Sequence, residues 1–384
     1  MLLAACSGLG FPARELGSTA PPGSASDPQI TTSAIGSGHV KVGLILPLSA
    51  TGNAGLAAQS MRNAAELALA DFNNPDLQLL VKDDGGTVQG AQQATQQALD
   101  EGAELIIGPL FAHTVGPAGQ SARTRGVSMI AFSTDSNVAG RGIYLLSFLP
   151  ESDVDRIIDY AVSQGKRSFL ALLPDNAYGT VVEAEFKEVV ARKGARVLAI
   201  ERYPSDDPAK IQEPAKQIAQ AAGRADALFI ADSGEQVPQV AQALVANGVN
   251  LKRLQLLGTG LWDDPRIFAS AALEGGWYVA PDPNVPNGFR TFSTRYRSRY
   301  GQDPVRTATL SYDAVALVSA LVKTQGPQRF SEEVLTNNSG FTGIDGVFRF
   351  RNNGTNQRGL AVLKVTPSGG QVVAPAPHSF GSGT

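Results

Sequence analysis

From Val40 onward the chain alternates short, wholly apolar runs of β type with amphipathic helical segments, and this rhythm leaves few folds open. A strand that is apolar on both faces has to be covered on both faces, which calls for a parallel sheet with helices on either side. Val40–Leu46 is such a run, stopped by Pro47. In the helix that follows, Met61, Ala64, Ala65, Ala68, Leu69 and Phe72 fall on one face. Residues 77–81 form the next strand, closed by the turn signal Asp83-Asp84-Gly85-Gly86, and a second helix carries Ala91, Ala94, Ala98 and Leu99. Strands are expected again at Leu105–Ile107, broken by Gly108-Pro109, at 127–132 and at 143–148.

The pattern restarts after Pro150. Ser152 is placed to cap a helix whose apolar face is Val154, Ile157, Ile158 and Ala161. Strands are expected at 168–173, 197–200, 227–230, 254–257 and 277–280, and Asn247-Gly248 ends the helix between the third and fourth of these. Two further helices follow, one with Phe289, Phe292 and Tyr296 on a face, the other with Tyr312, Val315 and Ala316. The last expected feature is a hairpin of 346–350 with 360–365 around Asn352-Asn353-Gly354. A chain of 384 residues holding two βα halves reads as two α/β domains.

Composition excludes several functions. Charged residues are 17% of the chain and the formal net charge is −3, which leaves no basic field for nucleic acid. Cys6 is the single cysteine, so neither an internal disulfide nor a thiolate metal cluster is available. His39, His113 and His378 stand far apart, without metal-ligand spacing. The start, Met1-Leu2-Leu3-Ala4-Ala5-Cys6, reads as the end of a secretory signal, and Leu3-Ala4-Ala5-Cys6 resembles the lipobox of bacterial lipoproteins. That resemblance implies residues 1–6 as signal and lipobox, with lipid on Cys6. Residues 7–38, dominated by Ser, Gly, Ala, Pro and Thr, are expected to be a disordered tether, and 375–384 a flexible tail. No stretch is long and apolar enough to span a membrane.

The search for catalysis finds little. Gly258-Thr259-Gly260 begins a dinucleotide fingerprint but lacks its third glycine, and Ser163-Gln164-Gly165-Lys166 matches Ser-x-x-Lys without companion motifs. Asp83 and Asp84 are neighbours on a strand, so their side chains point to opposite faces and serve a turn rather than an acid/base pair. The loops after the strands are more informative. In open parallel sheets ligands bind beyond the carboxyl ends of the strands, where helix N-termini present free N–H groups. Here those loops are rich in hydroxyls and small polar residues: 47–52, 110–114, Ser133-Thr134-Asp135-Ser136-Asn137 and Asp232-Ser233-Gly234. They suit a carboxylate or another small anion.

The ordered pieces Val42-Gly43-Leu44-Ile45-Leu46-Pro47, Asp83-Asp84, Ile106-Ile107-Gly108-Pro109-Leu110, Ile130-Ala131-Phe132-Ser133-Thr134 and Asp175-Asn176-Ala177-Tyr178-Gly179 resemble the type I periplasmic binding proteins of the Leu/Ile/Val-binding family. Within it, 258–265 and 346–350 are similar to lipoproteins that activate penicillin-binding proteins. The resemblance implies two Rossmann-like lobes joined by three crossings around a ligand cleft, the first lobe from 40–148 and 284–335, the second from 149–283 and 336–374. It implies lobe closure by hinge motion. Carried over by position, the first-lobe ligand contacts are Ala112, His113, Ser133, Thr134 and Ser136, and the second-lobe contacts are Tyr178, Asp232, Ser233 and Trp262. The acid that receives a ligand ammonium in amino-acid binders has only Asp232 and Asp263 as close substitutes. The implied role is non-enzymatic and without cofactor: periplasmic binding of an amino acid or similar small polar ligand for an ABC transporter permease. The alternative is an outer-membrane lipoprotein that activates a penicillin-binding protein by contact.

Overall fold

The computed structural model describes residues 34–73, 75–204 and 207–380. Cys6, and with it the lipidation reading, lies outside them, as does most of the expected tether. No helix among the described residues is long and apolar enough to cross a membrane.

Two α/β lobes follow one another, each built on a largely parallel sheet. The first begins with β1 (Ala34–Ile35) and β2 (Val40–Leu46), then α1 (Gly52–Asp71), β3 (Leu77–Asp83), α2 (Val88–Asp100), β4 (Leu105–Ile107), α3 (Ala112–Thr124), β5 (Ser128–Ala131) and β6 (Ile143–Leu145). Its strands lie in the order β1-β3-β2-β4-β5-β6, parallel except for β1. Alternation of side chains across a strand feeds two cores. Val42, Leu44 and Leu46 enter one, while Ile45 enters the other with Ala94, Ile106 and Val115.

The second lobe opens with α4 (Pro150–Ser163), β7 (Ser168–Pro174), α5 (Ala177–Arg192) and β8 (Arg196–Tyr203). It continues with α6 (Gln212–Ala222), β9 (Ala227–Ile230), α7 (Val237–Ala246), β10 (Gln255–Gly258), α8 (Pro265–Phe268) and β11 (Trp277–Ala280). Leu170 and Leu172 of β7 face one core, Phe169, Ala171 and Leu173 the other. Helix α4 starts at Pro150, whose fixed φ suits a first helical position, so Ser152 lies inside the first turn and not at the cap.

The chain then returns to the first lobe. In α9 (Phe289–Tyr300) the Tyr300 hydroxyl donates to Asn63 O at 2.8 Å, and in α10 (Ala308–Thr324) the Tyr312 hydroxyl donates to Asp71 at 2.6 Å, so both helices pack on α1. The short α11 (Glu332–Leu335) leads to a small sheet of β12 (Phe341–Gly343), β13 (Gly346–Phe350) and β14 (Asn356–Arg358). Residues 341–350, expected in the second lobe, belong with the first, because Ile344, Phe348 and Phe350 are buried in the same core as Val42 and Leu44. The expected hairpin is corrected too. β13 pairs with β14, whereas β15 (Ala361–Thr366) joins β11 in the second sheet, followed by β16 (Gly369–Ala374). That sheet runs β16-β15-β11-β10-β9-β7-β8.

Two expectations of looseness also fail within the described residues. Ala34 and Ile35 pair antiparallel with Leu80 and Leu79 as an edge strand. Near the other end, Ala376 is buried and its N–H donates to Asp282, and Phe380 lies under the Arg349 guanidinium at 4.7 Å.

The crossings between the lobes are tied together by buried polar groups. Ser147 O, on the first crossing, accepts from Arg358 Nε at 3.0 Å and Asn356 Nδ2 at 2.8 Å, on the third. Beside them Asp345 accepts two bonds from Arg306, at 2.9 and 2.7 Å, and one from Thr309 at 2.6 Å. Asp313 accepts from Ile344 N at 2.7 Å, and its second oxygen has no partner. Burial first, and then the Asp345 charge, push the Asp313 carboxyl up to about 7. A carboxyl raised in the folded state holds its proton more tightly there than in the unfolded chain, so its contribution to stability is full below about pH 4 and is lost as pH rises through about 7. Asp313→Asn is isosteric with the protonated form. It should flatten the fall in stability between pH 4 and pH 7, read from urea midpoints; an unchanged slope would refute the assignment.

Candidate functional site

The carboxyl ends of both parallel sheets carry the loops that can hold a ligand. On the first lobe the turn after β3 is built by its two carboxylates: Asp83 accepts from Ser49 N and Gly85 N, and Asp84 from Gly86 N. This is the turn chemistry expected of the pair. Burial pushes the Asp84 carboxyl up to about 6, and its second oxygen is buried without a partner. His113 is exposed, with Nε2 2.9 Å from Gly86 O and its ring stacked on Phe111 at 5.7 Å. Ala112 and His113 open α3, which has no side-chain cap. First-turn N–H groups have no partner within their own helix, so this end presents donors. Ser133 is buried and its Oγ accepts from Asp135 N at 3.0 Å, which leaves its hydroxyl proton to donate, and Thr134 beside it is exposed. Ser136 begins a short 3₁₀ turn at the same strand end.

On the second lobe, acceptors dominate. Tyr178 and Thr259 share a hydrogen bond of 2.9 Å between their hydroxyls. The carboxylate of Asp153, in the first turn of α4, accepts from Gly260 N at 2.9 Å. Burial pushes the Asp153 carboxyl up to about 7; the Gly260 N–H opposes this and Glu151 adds to it. The Tyr178 hydroxyl is pushed well above its ordinary range by burial, with the charges of Asp153 and Asp232 adding to the shift. Asp153, Tyr178 and Asp232 thus form one acidic neighbourhood over the ends of β7, β9 and β10.

The structure sorts the expected contacts. Tyr178 sits in that neighbourhood. Asp232 does too, but both its oxygens are engaged, one by the Tyr203 hydroxyl at 2.6 Å and the other by Ser233 N at 2.6 Å. Ser233 contributes this backbone bond. Asp263 accepts from the Tyr278 hydroxyl at 3.0 Å, tied to the side of its own lobe. Trp262 is corrected outright. It is fully buried, packs in the core with Leu172 and Ile230, and donates Nε1 to Ile230 O at 3.0 Å, so it supports the loop from beneath and is no wall of a cleft. Asp153, bonded by Gly260 N through Oδ2 alone, is the candidate acceptor of this neighbourhood. Sequence reading misses it because an acid in a helix's first turn carries the ordinary signature of a dipole-stabilising residue; only the fold shows that the Gly260 loop folds over it.

A family model described as periplasmic binding protein matches residues 39–371. Among solved structures, a branched-chain amino acid ABC transporter periplasmic ligand-binding protein from Burkholderia xenovorans is 18% identical, covers 89% of this chain and 97% of that one, and superimposes with a TM-score of 0.71. An ABC transporter substrate-binding protein from Desulfitobacterium hafniense, in complex with Leu, is 18% identical over 87% and 99% of the two chains, with a TM-score of 0.63. A solute-binding protein of an ABC transporter from Rhodopseudomonas palustris, in complex with benzoate, is 18% identical over 88% and 98%, with a TM-score of 0.59. A curated relative, an uncharacterized protein of Rickettsia prowazekii, is 23% identical over 135 residues, a match spanning 35% of this chain and only 36% of that protein's length.

Proposed function

Because this chain belongs to the periplasmic binding protein family, we propose that it is a non-enzymatic receptor, exported to the periplasm and held to a membrane by lipid on Cys6, that closes its lobes around an amino acid or a similar small zwitterion and presents it to an ABC-type transporter. The observation that carries this reading is the complementarity of the two strand-end surfaces. The first lobe offers donors at Ala112, His113 and Ser133 for a carboxylate, and the second offers Asp153 beside the Tyr178–Thr259 hydroxyl pair for an ammonium. A ligand that bridges the two gains from both only when the lobes close, which is how binding and hinge motion become coupled.

Isothermal titration with the free amino acids, paired with analogues that lack the amino group, tests it. A saturable heat for at least one amino acid, and a loss of about tenfold or more in affinity for its deaminated analogue, is the expected result. Equal affinity for the deaminated analogue would remove the ammonium site from the reading. No saturable binding across the whole panel would overturn the receptor role. It would turn attention to protein contact with a penicillin-binding protein, which a pull-down from envelope extracts and a synthase assay would then examine.

A further inference from the structure

A cavity of about 990 Å³ opens where α4 and α5 of the second lobe face β13, β14 and the 375–380 segment. Of the expected cleft contacts only Ser136 lines it, so it is a different place from the cleft. Its walls are of opposite charge. The helices contribute Glu151, Asp155 and Asp159 from α4, with Glu185 and Glu188 from α5, against two arginines, Arg156 and Arg192. The opposite side contributes Arg349, Arg351 and Arg358.

The acidic wall is only partly neutralised. Arg192 pairs with Asp155 at 2.6 Å and with Glu188 at 2.9 Å, and Lys193 with Asp159. Glu151 keeps one buried oxygen without a partner, and burial together with its acidic neighbours Glu188, Asp155 and Glu151 pushes the Glu185 carboxyl up to about 7. The opposite wall carries two side chains that are almost wholly buried and yet incompletely bonded. Arg358 is 5% exposed, and neither of its terminal nitrogens finds a hydrogen-bond partner in the protein. Asn356 is 2% exposed, and its Oδ1 is likewise unpartnered. Buried groups of this kind cost free energy unless something bonds them. Two donors on a guanidinium ask for a carboxylate; an amide oxygen and a carboxylate oxygen ask for N–H groups.

We propose that this bipolar groove is a second binding site, for a short peptide with both termini free. The terminal carboxylate bonds the basic wall that Arg358 shares with Arg351, the terminal ammonium bonds the Glu151 and Glu185 side, and a backbone N–H bonds Asn356 Oδ1. Size separates a peptide from a free amino acid, which would fill only a small part of the cavity. The volume is of the order that takes a ligand of several residues.

Titration calorimetry of the full chain with triglycine and tetra-alanine, each also in N-acetylated, C-amidated form, tests the site. Saturable binding of the uncapped peptides is expected, with a loss of about tenfold or more on capping both termini and a similar loss in Glu151→Gln and Arg351→Gln. These two substitutions lie at the surface of the groove, and circular dichroism confirms that the variants fold. Arg351→Gln, which lines the groove and none of the cleft, leaves the binding of a free amino acid unchanged, so a failure here is separable from a failure of the cleft reading. Equal binding of the capped peptides, binding indifferent to both groove substitutions, or no saturable heat with either peptide overturns the proposal.

Discussion

Asp153→Asn should weaken the binding of an amino-acid ligand by about a hundredfold, in line with the loss of one partner of a desolvated, hydrogen-bonded charge pair. The variant keeps an oxygen that can accept from Gly260 N, as Asp153 does at 2.9 Å, so the loop over it stays in place and the effect falls on charge. The same carboxyl makes the affinity depend on pH. Without ligand it is raised to about 7, by burial first and then, against the Gly260 N–H, by Glu151. A bound ammonium favours the ionised form and lowers that value. By linkage the ligand binds the ionised protein more tightly, so affinity should rise with pH up to about 7 and level off above it. Below that point the change approaches about tenfold per pH unit. Titrations at pH 5.5, 7.0 and 8.5 on the parent and on Asp153→Asn check both statements. The parent should lose affinity toward low pH, and the variant should be weak and nearly flat across the range. A parent curve without that slope, or a variant that binds as the parent does, would place the ammonium elsewhere, with Asp84, raised to about 6, as the next carboxyl to test.

The architecture was readable in the sequence wherever burial on both faces forced a continuous apolar run. β2, β4, β7 and β9 are buried from end to end or nearly so, and each stands where the apolar runs predict. What periodicity cannot carry is the identity of the sheet that a strand joins. Gly346–Phe350 and Ala361–Thr366 look alike as patterns, yet the first buries Phe348 and Phe350 beside Val42 and the second pairs with β11. That choice depends on where the chain crosses between lobes, and the residues that set it, Asn356 and Arg358 bonding Ser147 O, are more than two hundred positions from their partner in sequence. For the candidate site, the positions of the strand-end loops were readable. Ser133, His113 and Tyr178 fall at strand ends, because the rule that ligands gather there depends only on strand order. Asp153 was hidden, since only the fold brings Gly260 down on it from a distant loop.

Trp262 shows the opposite error, and its replacement should have the largest effect on stability. An aromatic residue just beyond a strand end has the same sequence signature whether it lines a cleft or fills a core, and here it fills the core. The indole lies against Gly258 and Gly276, where an added Cβ would come within 2.1 and 2.9 Å of the ring, so those two glycines exist to make room for it. Trp262→Ala removes the largest fully buried side chain and leaves Ile230 O without its 3.0 Å bond. The expected cost is about 3–5 kcal/mol, the range for deleting a buried aromatic, read as a lowered urea midpoint. The damage should reach the site as well. Thr259 and Gly260, which bond Tyr178 and Asp153, open the turn that Trp262 closes through its N–H to Thr259 O. Ligand affinity in Trp262→Ala should therefore fall under conditions where the protein is still folded, whereas Trp262→Phe, which keeps most of the packing and loses the indole bond, should recover most of both losses. Gly258→Ala should reproduce the Trp262→Ala phenotype from the other side of the contact by driving the ring out of its seat. A Trp262→Ala variant that holds the parent's midpoint would mean that the ring supports nothing. One that loses stability while binding normally would mean that the loop is held by Asp153 and Tyr178 alone.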